Sequence, residues 1–147
     1  MIFRFLLCFY LMEFYGSHAK SYDEMKTWFI EQGADCIKEY PIESNDMLLL
    51  EQQKIPDNKE ARCWLGCILK KTNMIDNKGM FDVATSTAMF DKDHASDPAK
   101  QENSRKLMET CKKVNDEKVS DGEKGCDRSV LLYKCFIEHG PTLGLLA

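Results

Sequence analysis

The chain has 147 residues, a formal net charge of -4 at pH 7 and 44% hydrophobic residues. A chain of this length forms one domain by default, and its near-average composition excludes a disordered acidic tail or a fibrous repeat. The acidic balance excludes the basic surface that binds nucleic acids or anionic membranes. We therefore expect no nucleic-acid partner.

Residues 1–19 have the pattern of a secretory signal peptide. Phe5–Met12 is an uninterrupted apolar run, and Ser17-His18-Ala19 places small residues three and one positions before a cut. The alternative is a buried or membrane-anchoring first helix, but a membrane span needs about twenty apolar residues. We predict a signal peptide at 1–19, a domain at 20–147, and a secreted, extracellular protein.

Removal of the signal peptide takes away Cys8 and leaves an even number of cysteines, which predicts three disulfides in an oxidising compartment. If the segments are helical, Cys63 and Cys67 lie side by side, and Cys126 and Cys135 are separated by about 13 Å of helical rise. Neither of these pairs can close easily, and the other pairings stay open. The cysteines of the domain are Cys36, Cys63, Cys67, Cys111, Cys126 and Cys135.

Helix signals dominate the first half of the domain. Ser21–Glu24 has the capping-box pattern and predicts a first helix that runs to Tyr40, with a bend near Gly33. Asn45–Gln53 is predicted as a short second helix. Asp57-x-x-Glu60 has the pattern of a second capping box and opens the predicted third helix.

Three more helices are predicted after the turn residues of Asn73–Gly79. Asp97 followed by Pro98 supplies an N-cap and a proline at the first helical position. The sixth helix is apolar over most of its circumference and belongs in the middle of the fold, and Gly140 ends it. These helices are expected near Phe81–Phe90, over Pro98–Asn115 and over Gly125–Glu138, which makes the fold all-α.

The spacing of the cysteines carries information about the family. It is Cys36-x26-Cys63-x3-Cys67-x43-Cys111-x14-Cys126-x8-Cys135, which resembles the six-cysteine insect odorant-binding proteins, the pheromone and general odorant-binding protein family. The resemblance covers the whole domain, including the order of the helices. It implies a six-helix, disulfide-linked odorant-binding-protein fold that encloses an apolar cavity. The bridges it implies are Cys36–Cys67, Cys63–Cys126 and Cys111–Cys135.

The resemblance implies a carrier in olfaction or another secreted fluid, which binds odorants, pheromones or lipid-like molecules and transports them through water. Six methionines in the domain fit an adaptable apolar wall. Tyr133 is the candidate polar contact to the ligand, and an interhelical tyrosine is the alternative. The candidate apolar contacts are Met47, Leu50, Trp64, Ile68, Leu69, Met74, Met89, Leu107, Met108, Leu132, Phe136 and Leu143.

His139 is the candidate pH switch for ligand release. It lies at the predicted C-terminus of the last helix, where the helix dipole favours the charged imidazole, and it precedes the apolar tail. A plain helix-end residue is the alternative. The other histidine of interest, His94, follows two aspartates in a segment, Asp91–His94, that is predicted to be a solvated loop.

We predict no enzyme, cofactor or metal site. The sequence has no His-Asp dipeptide, no glycine-rich phosphate loop and no Gly-x-Ser-x-Gly elbow, and Cys63-x3-Cys67 lacks the second half of a zinc site. The expected partner is a small hydrophobic ligand. An olfactory receptor or membrane protein and a weak homodimer are further candidate partners.

The alternative function is a secreted helical signalling or interaction module that acts through its surface. Such a module is solid inside and exposes an apolar patch, whereas a carrier holds a continuous apolar cavity of roughly several hundred Å³. The interior therefore distinguishes the two hypotheses.

Overall fold

The computed structural model describes residues 21–146, so the predicted signal peptide and its cleavage site lie outside the described residues. Residues 21–146 form six α-helices and short 3-10 turns, with one isolated β-bridge between Ile75 and Phe81. The prediction of a six-helix all-α fold is confirmed. None of the described helices is long and apolar enough to cross a membrane. The helices are α1 (Tyr22–Gly33), α2 (Ser44–Glu51), α3 (Lys59–Lys71), α4 (Val83–Asp93), α5 (Pro98–Cys111) and α6 (Cys126–His139).

Side-chain caps start α1 and α5 where the sequence predicts them. The Ser21 hydroxyl accepts a hydrogen bond from the Glu24 N–H, and the Glu24 carboxylate accepts one from the Ser21 N–H at 2.7 Å. This is the reciprocal capping box. Asp97 accepts a hydrogen bond from the Lys100 N–H at 3.0 Å, and Pro98 is the first residue of α5. Local chemistry therefore determines both starting points.

The predicted end of the first helix is wrong. Helix α1 ends at Gly33, and a separate 3-10 turn, Cys36–Lys38, follows it. The carbonyl oxygen of Gly33 accepts a hydrogen bond from the Trp64 indole N–H at 3.1 Å. In a continuing helix, that carbonyl would accept a hydrogen bond from the N–H of Ile37. The indole N–H, which is distant in sequence, bonds to it instead and helps to end α1.

The predicted start of α3 and the predicted end of α5 also differ from the structure. Helix α3 begins one residue later than the capping box predicts, because Asn58 rather than Asp57 caps it, accepting a hydrogen bond from the Ala61 N–H at 2.8 Å. Helix α5 ends at Cys111, and Lys112–Asn115 continues as a 3-10 turn. Such a tightening is common in the last turn of a helix.

The structure contains the three disulfides that the resemblance implies, Cys36–Cys67, Cys63–Cys126 and Cys111–Cys135. Cys63–Cys126 joins the middle of α3 to the first residue of α6. These two helices make the most extensive contact between helices of the described chain. The bridge therefore holds together the centre of the fold.

Helix α3 contributes to two clusters of buried apolar side chains. Leu65 and Leu69 belong to the larger cluster, which includes residues of α4, α5 and α6. Trp64 and Ile68 belong to a smaller cluster with Cys36. Because residues four apart lie above one another on a helix, the pairs form two adjacent stripes along α3. The two clusters therefore meet along this helix.

The prediction of a solvated loop at Asp91–His94 is wrong. Asp91, Lys92 and Asp93 form the end of α4, and His94 is its C-cap residue, with 3% of its surface exposed. The imidazole packs against the Phe90 ring, with 6.4 Å between the ring centroids. Neither ring nitrogen has a hydrogen-bond partner among the described residues. His94 is therefore a buried imidazole without a hydrogen-bond partner among the described residues.

We expect His94 to make the fold less stable in mild acid. Burial lowers the pKa of His94, and the positive charge of Lys100 lowers it further, against the opposing effect of Asp93 and Asp97. The unfolded chain, where a histidine pKa is about 6.5, then binds the proton more strongly than the folded chain. The contribution to stability is therefore complete above about pH 6.5 and is lost as the pH falls toward the lowered pKa.

Urea unfolding at pH 7.5 and 5.5 measures this loss. We expect the midpoint of His94→Leu to fall less between these pH values than that of the wild type. His139→Gln is the matched control, because it removes the other histidine of residues 21–146. If the midpoint of His94→Leu falls between these pH values by as much as that of the wild type, His94 does not cause the loss of stability in acid.

Candidate functional site

An apolar pocket of about 180 Å³ lies where the two core clusters meet. Its wall comes from α1, α2, α3 and α6 and from the C-terminal segment. Helix α3 supplies the floor, since residues from both of its apolar stripes reach the pocket. The lining residues are Met25, Lys26, Phe29, Ile30, Met47, Leu50, Glu51, Gln53, Trp64, Leu65, Ile68, Leu69, Tyr133, Phe136, Ile137 and Leu146.

Two aromatic rings of the pocket wall are held in place by neighbouring helices. Trp64 is 4% exposed, and a Cβ atom built on Gly33 would lie 2.5 Å from Trp64 Cζ2. Glycine is therefore required at position 33 for the indole to lie against α1. Phe136 makes edge-on contacts with Phe81 and Phe90, at centroid distances of 6.1 and 6.5 Å. Both rings present a pre-formed apolar surface to the pocket.

The C-terminal segment reaches the pocket because Gly140 leaves room for it. The predicted glycine at the end of the last helix is present, but its φ is -59°, so left-handed geometry is not the reason for glycine. A Cβ atom at Gly140 would lie 2.6 Å from Leu146 Cδ1. The Leu145 N–H donates a hydrogen bond to the Gly140 carbonyl at 3.0 Å, which turns the chain back toward the pocket.

Few lining side chains are polar. Lys26 of α1 forms an ion pair with Glu51 of α2, with 3.6 Å between Nζ and Oε1, and both are partly exposed at the mouth of the pocket. The Tyr133 hydroxyl donates a hydrogen bond to the Leu50 carbonyl at 2.8 Å. These two contacts connect α2 to the rest of the fold. Residues 21–146 contain no cluster of histidine, cysteine or acidic side chains that could hold a metal ion.

The structure brings together about half of the predicted ligand contacts. Those that line the pocket are Met47, Leu50, Trp64, Ile68, Leu69, Tyr133 and Phe136. The other six are not among its lining residues and lie in or against the larger core cluster, so their contact with a ligand stays a prediction. They are Met74, Met89, Leu107, Met108, Leu132 and Leu143.

Packing between helices explains why these residues do not line the pocket. Met108 of α5 and Leu132 of α6 have no exposed surface. They face other helices and thus fill the seams between α4, α5 and α6. An apolar side chain on a helix face is predicted to be buried, but the pattern does not show whether another side chain or a ligand covers it.

Sequence reasoning missed the contribution of α1. Met25, Phe29 and Ile30 line the pocket, together with Leu65 and Leu146. The spacing of Met25 and Phe29, four residues apart, already indicates one apolar helix face. That signal identifies a side that packs inward, and only the position of α1 opposite α3 makes it part of a pocket.

His139 is not among the residues that line the pocket. It lies in the last turn of α6, with Nε2 3.9 Å from a carboxylate oxygen of Glu138. Its carbonyl oxygen accepts a hydrogen bond from the Thr142 hydroxyl at 2.8 Å. Its role as a pH switch stays a prediction. If His139 affects the pocket, it must do so through the C-terminal segment.

The pocket is smaller than the cavity expected for a carrier, with a volume of about 180 Å³ instead of several hundred. An engineered apolar cavity of about 150 Å³ in another protein binds benzene. By this comparison, the pocket is large enough for a single-ring or short-chain molecule.

Comparison with known proteins identifies relatives of the whole fold. A sequence model described as the PBP/GOBP family matches residues 18–139. Among solved structures, the chain is similar to the odorant-binding protein dmelOBP28a from Drosophila melanogaster, with 18% sequence identity and a TM-score of 0.65. That alignment covers 86% of this chain and 100% of the other, and at this identity it shows a shared fold. No curated protein matches the chain significantly.

Proposed function

Because the chain belongs to the PBP/GOBP family and is an odorant-binding carrier of that general kind, we propose that it takes small hydrophobic molecules into the pocket between α1, α2, α3 and α6. The carrier is secreted and moves these molecules through aqueous fluid. The observation that carries the proposal is the apolar pocket at the junction of the two core clusters. The alternative, a surface interaction module, requires a solid interior.

The size of the pocket limits both the ligand and its affinity. A volume of about 180 Å³ suits a molecule with roughly seven non-hydrogen atoms, by comparison with the cavity that binds benzene. Burying about 250 Å² of apolar ligand surface at roughly 25 cal/mol per Å² contributes about 6 kcal/mol, before the cost of immobilising the ligand. We therefore expect dissociation constants in the micromolar range or weaker.

Helix α2 is the wall through which the ligand enters. It has no fully buried residue, and Leu48 is 50% exposed. The Lys26–Glu51 ion pair is partly exposed, and such pairs contribute about 1 kcal/mol or less. A helix held by so few contacts opens at lower cost than one in the core. Ligand passage between α1 and α2 then leaves the disulfide-linked centre undisturbed.

A pocket-filling substitution tests the proposed site. We expect Met47→Trp to weaken the binding of toluene at least about tenfold, because the larger side chain occupies the volume of the ligand. Leu48→Trp is the matched control, since Leu48 is the adjacent residue of α2, is exposed and does not line the pocket. The control should bind toluene within about twofold of the wild type.

Calorimetric titration of the oxidised protein, secreted from cells that express the full chain, measures the binding. The N-terminal sequence of the same sample tests the predicted cleavage before Lys20. Unchanged binding in Met47→Trp would place the ligand elsewhere in the fold. A wild type that binds neither toluene nor other single-ring compounds would contradict the carrier and favour the interaction module.

A further inference from the structure

Two of the six methionines in the domain, Met25 and Met47, line the pocket. Met25 of α1 packs against the larger core cluster, and Met47 of α2 packs against the smaller one. Both side chains are partly exposed, whereas Met74 and Met108 have no exposed surface. The pocket methionines, Met25 and Met47, are therefore within reach of small molecules dissolved in water.

The pocket methionines add oxidisable sulfur to a wall that is otherwise mostly hydrocarbon. All six cysteines of residues 21–146 are held in disulfides, so this part of the chain has no free thiol that would react first with a peroxide. A lone pair of the thioether sulfur attacks one peroxide oxygen, and the S–O bond forms as the O–O bond breaks. The proton on the transferred oxygen passes to the departing hydroxide, which leaves as water. Sulfur loses two electrons and becomes a sulfoxide, and the peroxide is reduced.

A sulfoxide at Met25 or Met47 places a polar oxygen in a wall that is almost entirely apolar. The ammonium group of Lys26, which also lines the pocket, pairs with Glu51 at the mouth. A hydrocarbon ligand that covers the sulfoxide oxygen removes water from it and offers no hydrogen bond in return, which lowers the binding free energy. Oxidation therefore favours the empty pocket over the pocket that holds an apolar ligand.

We propose that Met25 and Met47 form an oxidation site, at which hydrogen peroxide or an organic hydroperoxide lowers the affinity of the carrier for apolar ligands. This inference rests on the proposed carrier function. A bound ligand covers the same two side chains, so the loaded carrier is protected and the empty carrier is oxidised. Because methionine sulfoxide can be reduced by enzymes, the change is reversible.

Replacing both pocket methionines by leucine removes the two sulfur atoms and nearly conserves the side-chain volume. We expect peroxide treatment to raise the Kd of toluene about tenfold in the wild type, as for an unpaired polar group, and at most about twofold in Met25→Leu with Met47→Leu. Met80→Leu with Met89→Leu is the matched control, because Met80 and Met89 are also partly exposed and do not line the pocket. This control should lose affinity as the wild type does.

Calorimetry before and after the treatment measures the Kd, and peptide mass spectrometry locates the sulfoxides. When toluene is present at about ten times its Kd during the treatment, most pockets are occupied. We then expect sulfoxide at Met25 and Met47 to fall at least about fivefold, and sulfoxide at Met80 and Met89 to stay unchanged. Equal amounts of sulfoxide at Met25 and Met47 with and without toluene would contradict the protection by ligand.

The untreated wild type separates this inference from the carrier function. If it does not bind toluene, the carrier function and the inference fail together. If it binds toluene but the treated leucine variant of the pocket methionines loses as much affinity as the treated wild type, the inference is overturned and the carrier stands. Unfolding of the oxidised wild type, seen by circular dichroism, would also overturn the inference, because the loss of binding would not arise in the pocket.

Discussion

The double substitution Cys63→Ala with Cys126→Ala is expected to lower the free energy of unfolding by about 4 kcal/mol. The bridge closes a sequence separation of 63 residues, compared with 31 and 24 for the other two. Because the entropy that a cross-link removes from the unfolded chain grows with loop length, this bridge should contribute the most. A loss of this size is a large fraction of the stability of a small domain.

Urea unfolding followed by circular dichroism checks this expectation. At a slope of about 2 kcal/mol per molar urea, the midpoint should fall by about 2 M. The matched control is Cys111→Ala with Cys135→Ala, which opens the shortest loop and should produce a smaller shift. A larger shift in the control than in the Cys63 and Cys126 variant would refute the ranking by loop length.

Trp64→Ala is expected to destabilise the protein by about 3 to 5 kcal/mol, the usual cost of removing a large buried aromatic side chain. The indole is nearly inaccessible and lies against Gly33, in the same apolar cluster as Ile68. Its removal also leaves the Gly33 carbonyl without its donor, an additional cost in a buried site. Trp64→Phe keeps most of the ring and should cost about 1 to 2 kcal/mol.

The second tryptophan of the chain provides the control for this experiment. Trp28 lies on α1, packs edge-on against Phe29 and is only partly buried. We expect Trp28→Ala to cost less than half as much as Trp64→Ala in the same urea titration. Equal losses of unfolding free energy in the two variants would contradict this expectation. The contacts of Trp64 with α1 would then contribute no more stability than the packing of the partly buried Trp28.

The candidate site shows which structural features an apolar sequence pattern can predict and which it cannot. Three of the residues predicted to contact the ligand, Trp64, Ile68 and Leu69, lie on α3, and all three line the pocket. Leu107 and Met108 have the same apolar character and helical spacing, yet they fill the seam of α5 with its neighbours. Periodicity shows which face of a helix is apolar. It does not show whether that face meets a helix or an open space.

The amino-acid sequence by itself determined the number of helices, their principal caps and the cysteine spacing that indicates the family. Ser21 and Asp97 cap their helices through residues only three positions away, so nothing distant is needed. These features are local or depend on spacing, and both can be read along the chain.

The tertiary structure alone decided where α1 ends, why Gly140 is glycine and where the pocket lies. The Gly33 carbonyl meets the indole of Trp64, 31 residues away in sequence. Leu146 folds back over Gly140 to complete the wall. A pocket is space that packing leaves unfilled, and it depends on the relative positions of several helices. No single segment contains that information, because burial is a property of the assembled fold.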